Sequence, residues 1–245
     1  MNPVLTDAWR TLVPAPGDKN GPLPPLMLGL TVVTGLVDSF SYLVLGHVFV
    51  ANMTGNVVFL AFALAGAAGF SLMASLAALG AFSLGALVGG RLSSIVSHHR
   101  GHLLVAVSAL QAVLVGASAI IVATVHDPGV GSARYFLIVV LSLSMGAQNA
   151  IARKLAVPDL TTTVLTLTIT GISADSRLAG GVGSKAGRRL MSALSMFIGA
   201  LIGASLVLKV SPEAAILVTL GFLCTILATT ALLARSEPSW AHPST

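Results

Sequence analysis

Thr34-Gly35-Leu36-Val37-Asp38-Ser39-Phe40-Ser41, followed closely by Ala51-Asn52-Met53-Thr54-Gly55-Asn56, decides the fold. The first string sets an acid near the middle of an apolar run, residues 26–46, with the roughly 20 residues that a membrane-spanning helix needs. The second opens another apolar run, residues 57–69, that is too short to cross. A carboxylate at mid-membrane depth is costly unless it faces protein or water, so by default it marks function.

Composition agrees. The chain has 245 residues, of which 55% are hydrophobic and 9% charged, with mean hydropathy +0.94. Soluble domains carry about 25% charged residues, so most of this surface meets lipid. Abundant Ala, Gly and Ser suit close helix packing in a bilayer. No ten-residue alternating pattern of an outer-membrane barrel is present. The net charge of +5 lies in loops, where orientation and lipid headgroups account for it without nucleic acid. The single cysteine, Cys224, excludes an intrachain disulfide framework. The proline-rich start lacks the basic-then-apolar order of a signal peptide, and residues 1–24 read as a flexible cytoplasmic tail.

Further apolar runs cover residues 72–92, 103–125, 135–152, 190–208 and 214–233, with a hydroxyl-rich short run at 161–172. The order of features in residues 25–126 recurs in residues 127–234, leaving residues 235–245 as a second cytoplasmic tail. Leu84-Gly85-Ala86-Leu87-Val88-Gly89 aligns with Ile198-Gly199-Ala200-Leu201-Ile202-Gly203, and Gly35 and Asp38 align with Gly146 and Asn149. Each half therefore reads as three spans plus one short helix.

Charge decides the topology. With eight spans, eight Lys and Arg residues fall inside and five outside. Making the short runs re-entrant moves Arg91, Arg100, Arg153 and Lys154 inside and Arg134 outside, and the division becomes eleven to two. The expected fold is an all-α membrane protein: six transmembrane helices, two half-depth helices and two inverted repeats, with both termini cytoplasmic. Transporters recurrently use this plan, with the site near the midplane where the repeats meet.

Gly35-Leu36-Val37-Asp38, residues 49–56 (Phe-Val-Ala-Asn-Met-Thr-Gly-Asn) and Gly146-Ala147-Gln148-Asn149-Ala150 resemble the YoaK-like family of bacterial membrane proteins. The similarity covers nearly the whole chain. It implies a multi-pass protein of the bacterial cytoplasmic membrane and supplies neither substrate nor reaction. Leu165-Thr166 stands where the family often shows a second Thr-Gly pair, so no second site is carried over.

Asp38 is the sharpest candidate, since the other seven carboxylates fall in tails, loops or helix ends. It could carry a proton or coordinate a cation, or lock helix packing. Asn52, Thr54, Gly55 and Asn56 stand where the short helix begins; they read either as a polar binding end or as helix capping. Gln148 and Asn149 would face Asp38 across a pseudo-twofold axis, lining a polar path or pairing with each other. Thr166, Thr168 and Thr170 read as hydroxyls bonded to their own helix, and Pro158 and Asp159 as a helix start. His98, His99 and His102 lack a neighbouring Cys or carboxylate, so a loop is expected there and no metal. Gly180-Gly181-Val182-Gly183-Ser184-Lys185 has the wrong order for a phosphate loop and no preceding strand.

The expected function is a small-solute transporter or channel, with a non-transporting scaffold or sensor as the alternative. The expected partners are the lipid bilayer and an unknown small solute or ion, with a homo-oligomer left open. Neither common hydrolase signature occurs, no cofactor is implied, and an enzyme is not expected.

Overall fold

Apolar runs that cannot hydrogen-bond to lipid must satisfy their backbone internally, and helices do so. The computed structural model describes residues 3–96, 99–158, 160, 165–175, 179–181, 186–235 and 239–241. Six of its helices are long and apolar enough to cross a membrane: α2 (Leu23–Val44), α4 (Leu72–Ile95), α5 (Arg100–Thr124), α6 (Gly131–Leu155), α8 (Ala186–Lys209) and α9 (Pro212–Ala234). At 1.5 Å per residue their 22 to 25 residues reach more than the ~30 Å of a hydrocarbon core. Two short helices, α3 (Met53–Leu64) and α7 (Leu165–Ala174), follow α2 and α6. The protein is an all-helical integral membrane protein.

The long helices run several residues past their apolar stretches. Arg100, Arg153, Lys154, Arg188 and Arg189 lie inside first or last turns, where counting apolar residues stops but the backbone ladder does not. Arg100 is anchored there, its guanidinium donating to the Leu155 carbonyl at the end of α6 (2.6 Å). Arg134 likewise donates to the Leu45 carbonyl just past α2 (2.7 Å). Basic groups at helix C-termini satisfy open carbonyls and complement the dipole.

The tails are more ordered than the sequence implied. Within the stretch expected to be flexible, Pro3–Leu12 forms helix α1, which packs on α8. The Asp7 carboxylate accepts the Arg188 N–H (2.8 Å) and supplies the first turn of α8 with an anionic cap. In the C-terminal tail a short turn, Ser239–Ala241, lays the buried Trp240 over Gly21, where any side chain would collide with the indole. Asp159, residues 161–164, Arg177 and Lys185, together with His98 of the histidine loop, lie outside the described residues.

Each spanning helix packs on its neighbours in the order α4, α6, α5, α9, α2, α8, with α3 against α4 and α7 against α8. The inner pair is α2 and α6. In their most apolar windows 67% and 61% of residues are buried, against 28–33% in the other four spans. Two crossings are backbone-tight. A Cβ on Gly146 would strike the Phe82 carbonyl of α4, and one on Gly85 the Leu143 carbonyl of α6. A Cβ on Gly35 would strike the Met196 carbonyl of α8, and one on Gly199 the Val32 carbonyl of α2. Small residues permit this approach, which membrane helices use in place of a water-driven effect.

Candidate functional site

Asp38 sits two turns before the end of α2 and is 4% exposed. Its Oδ1 accepts the backbone N–H groups of Val50 (3.0 Å) and Ala51 (2.8 Å), and its Oδ2 accepts the side-chain amide of Asn52. Asn56, fully buried in the first turn of α3, grips the same segment from the other side. Its Oδ1 accepts the Phe49 N–H (2.9 Å) and its Nδ2 donates to the Phe49 carbonyl (2.6 Å). Buried backbone groups outside regular structure need partners, and two side chains supply them to residues 49–51.

This fixes the path of the chain. His47 Nδ1 lies 3.1 Å from the Gly69 carbonyl, so the start of the segment meets the turn after α3. Residues 50–52 lie beside Asp38, about 10 Å back along α2 at 1.5 Å per residue. The chain thus doubles back along α2 and returns as α3. Asn52 stands at the N-cap position of α3 but makes no side-chain cap, because its amide is turned to Asp38. Thr54 is exposed. Gly55 makes room for the Phe49 ring, which a Cβ would meet at 2.6 Å. Phe49 also stacks on Tyr42 (5.1 Å) and Phe59 (5.6 Å), and closes the segment over with aromatic surface.

A cavity of about 290 Å³ between α2 and α8 opens onto this clamp. Asp38, Asn52, Tyr42 and Phe49 line one side, Ala200 and Ala204 of α8 the other. Among the described residues no Lys, Arg or His pairs with Asp38; its partners are neutral N–H donors.

The Gln148-Asn149 pair divides. Gln148 is fully buried and donates to Thr34 Oγ1 (2.9 Å), one turn before Asp38 on α2. Asn149 donates to the Met145 carbonyl of its own helix (2.9 Å). The structure adds Gln111, whose Nε2 donates to Gln148 Oε1 (2.7 Å) across α5 and α6. The signal for Gln111 was available: it is an amide inside an apolar run, the same anomaly that singles out Asp38. Gln111 Oε1, Ser108 Oγ and Ser144 Oγ are buried without a protein partner among the described residues. Of the three threonines of α7, Thr168 is buried while Thr166 and Thr170 are exposed. His99 Nδ1 accepts the His102 N–H (3.0 Å), so that histidine caps α5.

Residues 26–229, which hold four of the six spans whole and all but the first residues of α2 and the last residues of α9, match the model of a family described as "Protein of unknown function (DUF1275)". The chain belongs to that family. The chain is also similar to the curated "UPF0700 transmembrane protein YoaK" of Bacillus subtilis (strain 168), at 32% identity over 147 residues. That stretch is 60% of this chain and 64% of the relative, so the match spans under two thirds of the relative's length. No solved structure matches. The YoaK-like resemblance read from residues 35–38, 49–56 and 146–150 is thereby borne out, and the relative's printed name, a transmembrane protein, agrees with the six membrane-length helices.

Proposed function

We propose that the protein is a small-solute transporter or channel of the bacterial cytoplasmic membrane, with its path at the seam between two inverted halves. The cavity between α2 and α8 that opens onto Asp38 carries this reading. A mid-membrane acid beside a cavity, whose partners among the described residues are neutral donors, suits a ligand that brings positive charge. The rings of Tyr42 and Phe49 favour a small cation further.

Several regularities support the inverted halves. Exchanging α2, α4 and α5 for α6, α8 and α9 reverses the packing order and leaves it otherwise unchanged. The tight crossings match residue for residue: Gly35 and Val32 correspond to Gly146 and Leu143, each 111 positions on, and Gly85 and Phe82 to Gly199 and Met196, each 114 on. The doubling back of residues 47–69 beside Asp38 supports a half-depth α3, and α7 takes the corresponding place against α8. The eleven-to-two division of Lys and Arg supports cytoplasmic termini. Buried oxygens of Ser108, Gln111 and Ser144 near the Gln111–Gln148 bond are what a polar path would need. The proposal does not extend to an enzyme.

One observation favours the scaffold or sensor reading: Asp38 is fully engaged in holding residues 50–52, a structural task in its own right. Uptake of a panel of small cations, neutral solutes and anions into proteoliposomes separates the two. Wild type should take up at least one cation, and Asp38→Asn protein that remains monodisperse should not. Equal flux from both for every solute would leave the scaffold.

A further inference from the structure

We infer that α1 is an interfacial anchor, seated at the headgroup boundary of an anionic leaflet, with its apolar face in the acyl layer. The inference does not depend on transport. Val4, Asp7, Ala8 and Thr11 recur at helical spacing and face α8. A Cβ on Gly187 would collide with the Val4 carbonyl and the Ala8 nitrogen, Asp7 accepts the Arg188 N–H, and Arg188 Nε lies 3.5 Å from Thr11 Oγ1. That docking fixes the rotation of the helix. Leu5, Trp9 and Leu12, at i, i+4 and i+7, are then left 62%, 60% and 44% exposed, with Val13 at 51% just beyond. Such an arc is too apolar for water and is the pattern of a helix lying in a membrane interface.

Position and charge supply the partner. Gly187 and Arg188 belong to the first turn of a membrane-spanning helix, so a helix packed on them lies at the level where the bilayer meets water. Arg188 also reaches the Pro158 carbonyl (3.4 Å), Arg100 joins the Lys19 and Leu155 carbonyls, and Gly101 lies against Ala234. Those contacts gather the ends of α5, α6, α8 and α9 at one face of the protein. Arg10, Lys19, Arg91, Arg153, Lys154 and Arg235 are exposed there. The described acids of the same face are engaged: Asp7 on Arg188, Asp18 on the Asn20 N–H (2.8 Å) and Asp175 on Arg189 (2.5 Å). An exposed basic rim around an apolar helix face fits anionic phospholipid. Because α8 carries Ala200 and Ala204, the anchor holds the helix that walls the Asp38 cavity.

The chain has two tryptophans, and Trp240 is buried. The difference in fluorescence between wild type and Trp9→Phe protein therefore isolates Trp9, without disturbing the packed indole. Reconstitution with a fixed fraction of brominated lipid, carried either on phosphatidylglycerol or on phosphatidylcholine, reads both parts of the inference. The expected result is a blue-shifted Trp9 component, quenched by bromines near the headgroup, and more strongly by phosphatidylglycerol than by phosphatidylcholine. High salt should shrink that preference. A Trp9 component emitting as in water and unquenched by either lipid overturns the anchor. Equal quenching by the two lipids at low salt overturns the anionic leaflet.

Discussion

The carboxylate of Asp38 accepts the side-chain amide of Asn52, fourteen positions on, and on its other oxygen the two N–H groups that precede that residue. One acid thereby ties a non-helical segment to a spanning helix, two turns before the end of that helix. The segment lies outside regular structure, so its buried backbone groups depend on side chains for partners.

Asp38→Asn should destabilise the protein even though it is nearly isosteric. The new amide can still accept from Val50 and Ala51 through one atom, but its NH2 then faces the NH2 of Asn52. Leaving buried donors opposed costs about 1–3 kcal/mol, and Asp38→Ala should cost more. Asn52→Ala, which spares both backbone bonds, should cost least of the three. Thermal unfolding in detergent reads the order, and an unchanged midpoint for Asp38→Ala would contradict the clamp.

Asn56→Leu removes both bonds to Phe49 while keeping the side chain's bulk. The Phe49 N–H and carbonyl then lose their partners, and amide exchange over residues 49–52 should accelerate while that of α6 stays slow. Asn56→Asp should be worse at neutral pH, because it places a carboxylate oxygen against the Phe49 carbonyl. Uniform exchange in wild type and both variants would show that Asn56 does not hold the segment.

Gly35→Ala and Gly146→Ala should each destabilise, since the added methyl meets a carbonyl oxygen of α8 or α4 and the helices must part. Gly80→Ala and Gly116→Ala meet open space, and should be neutral or favourable, alanine being about 1 kcal/mol better than glycine within a helix. Comparable melting of all four variants would contradict the tight crossings.

Gln148→Leu leaves the Gln111 amide and Thr34 hydroxyl without their shared partner. The double variant Gln111→Leu/Gln148→Leu should therefore be less damaged than the two single losses added together. A coupling of about 1 kcal/mol is expected for such contacts between membrane helices. Strict additivity in unfolding midpoints would mean the pair does not act as one.

The spans, the short helices and the singularity of Asp38 were legible because each is a local anomaly of hydropathy or length. The partners of Asp38 were not. Nothing in Val50 or Ala51 marks their N–H groups as needing a distant acid, and Asn52 reads as a helix cap until the fold brings Asp38 beside it. Asn56 carried no sign that both ends of its amide would serve one residue, Phe49. The order of α1 was hidden for a related reason. Leu5, Trp9 and Leu12 carry a helical rhythm, but the docking of Asp7 on Arg188 joins residues 181 positions apart.

The central claim is that the cavity beside Asp38 is reached by water. Ala200 lines it from α8, whereas the next residue, Leu201, is 54% exposed on the outer surface of that spanning helix. With Cys224 replaced by serine, Ala200→Cys and Leu201→Cys can be challenged in proteoliposomes with a membrane-impermeant methanethiosulfonate. The account predicts fast modification of Ala200→Cys, slowed in the presence of a transported cation, and little of Leu201→Cys. Resistance of Ala200→Cys to the reagent from both faces of the membrane would contradict it.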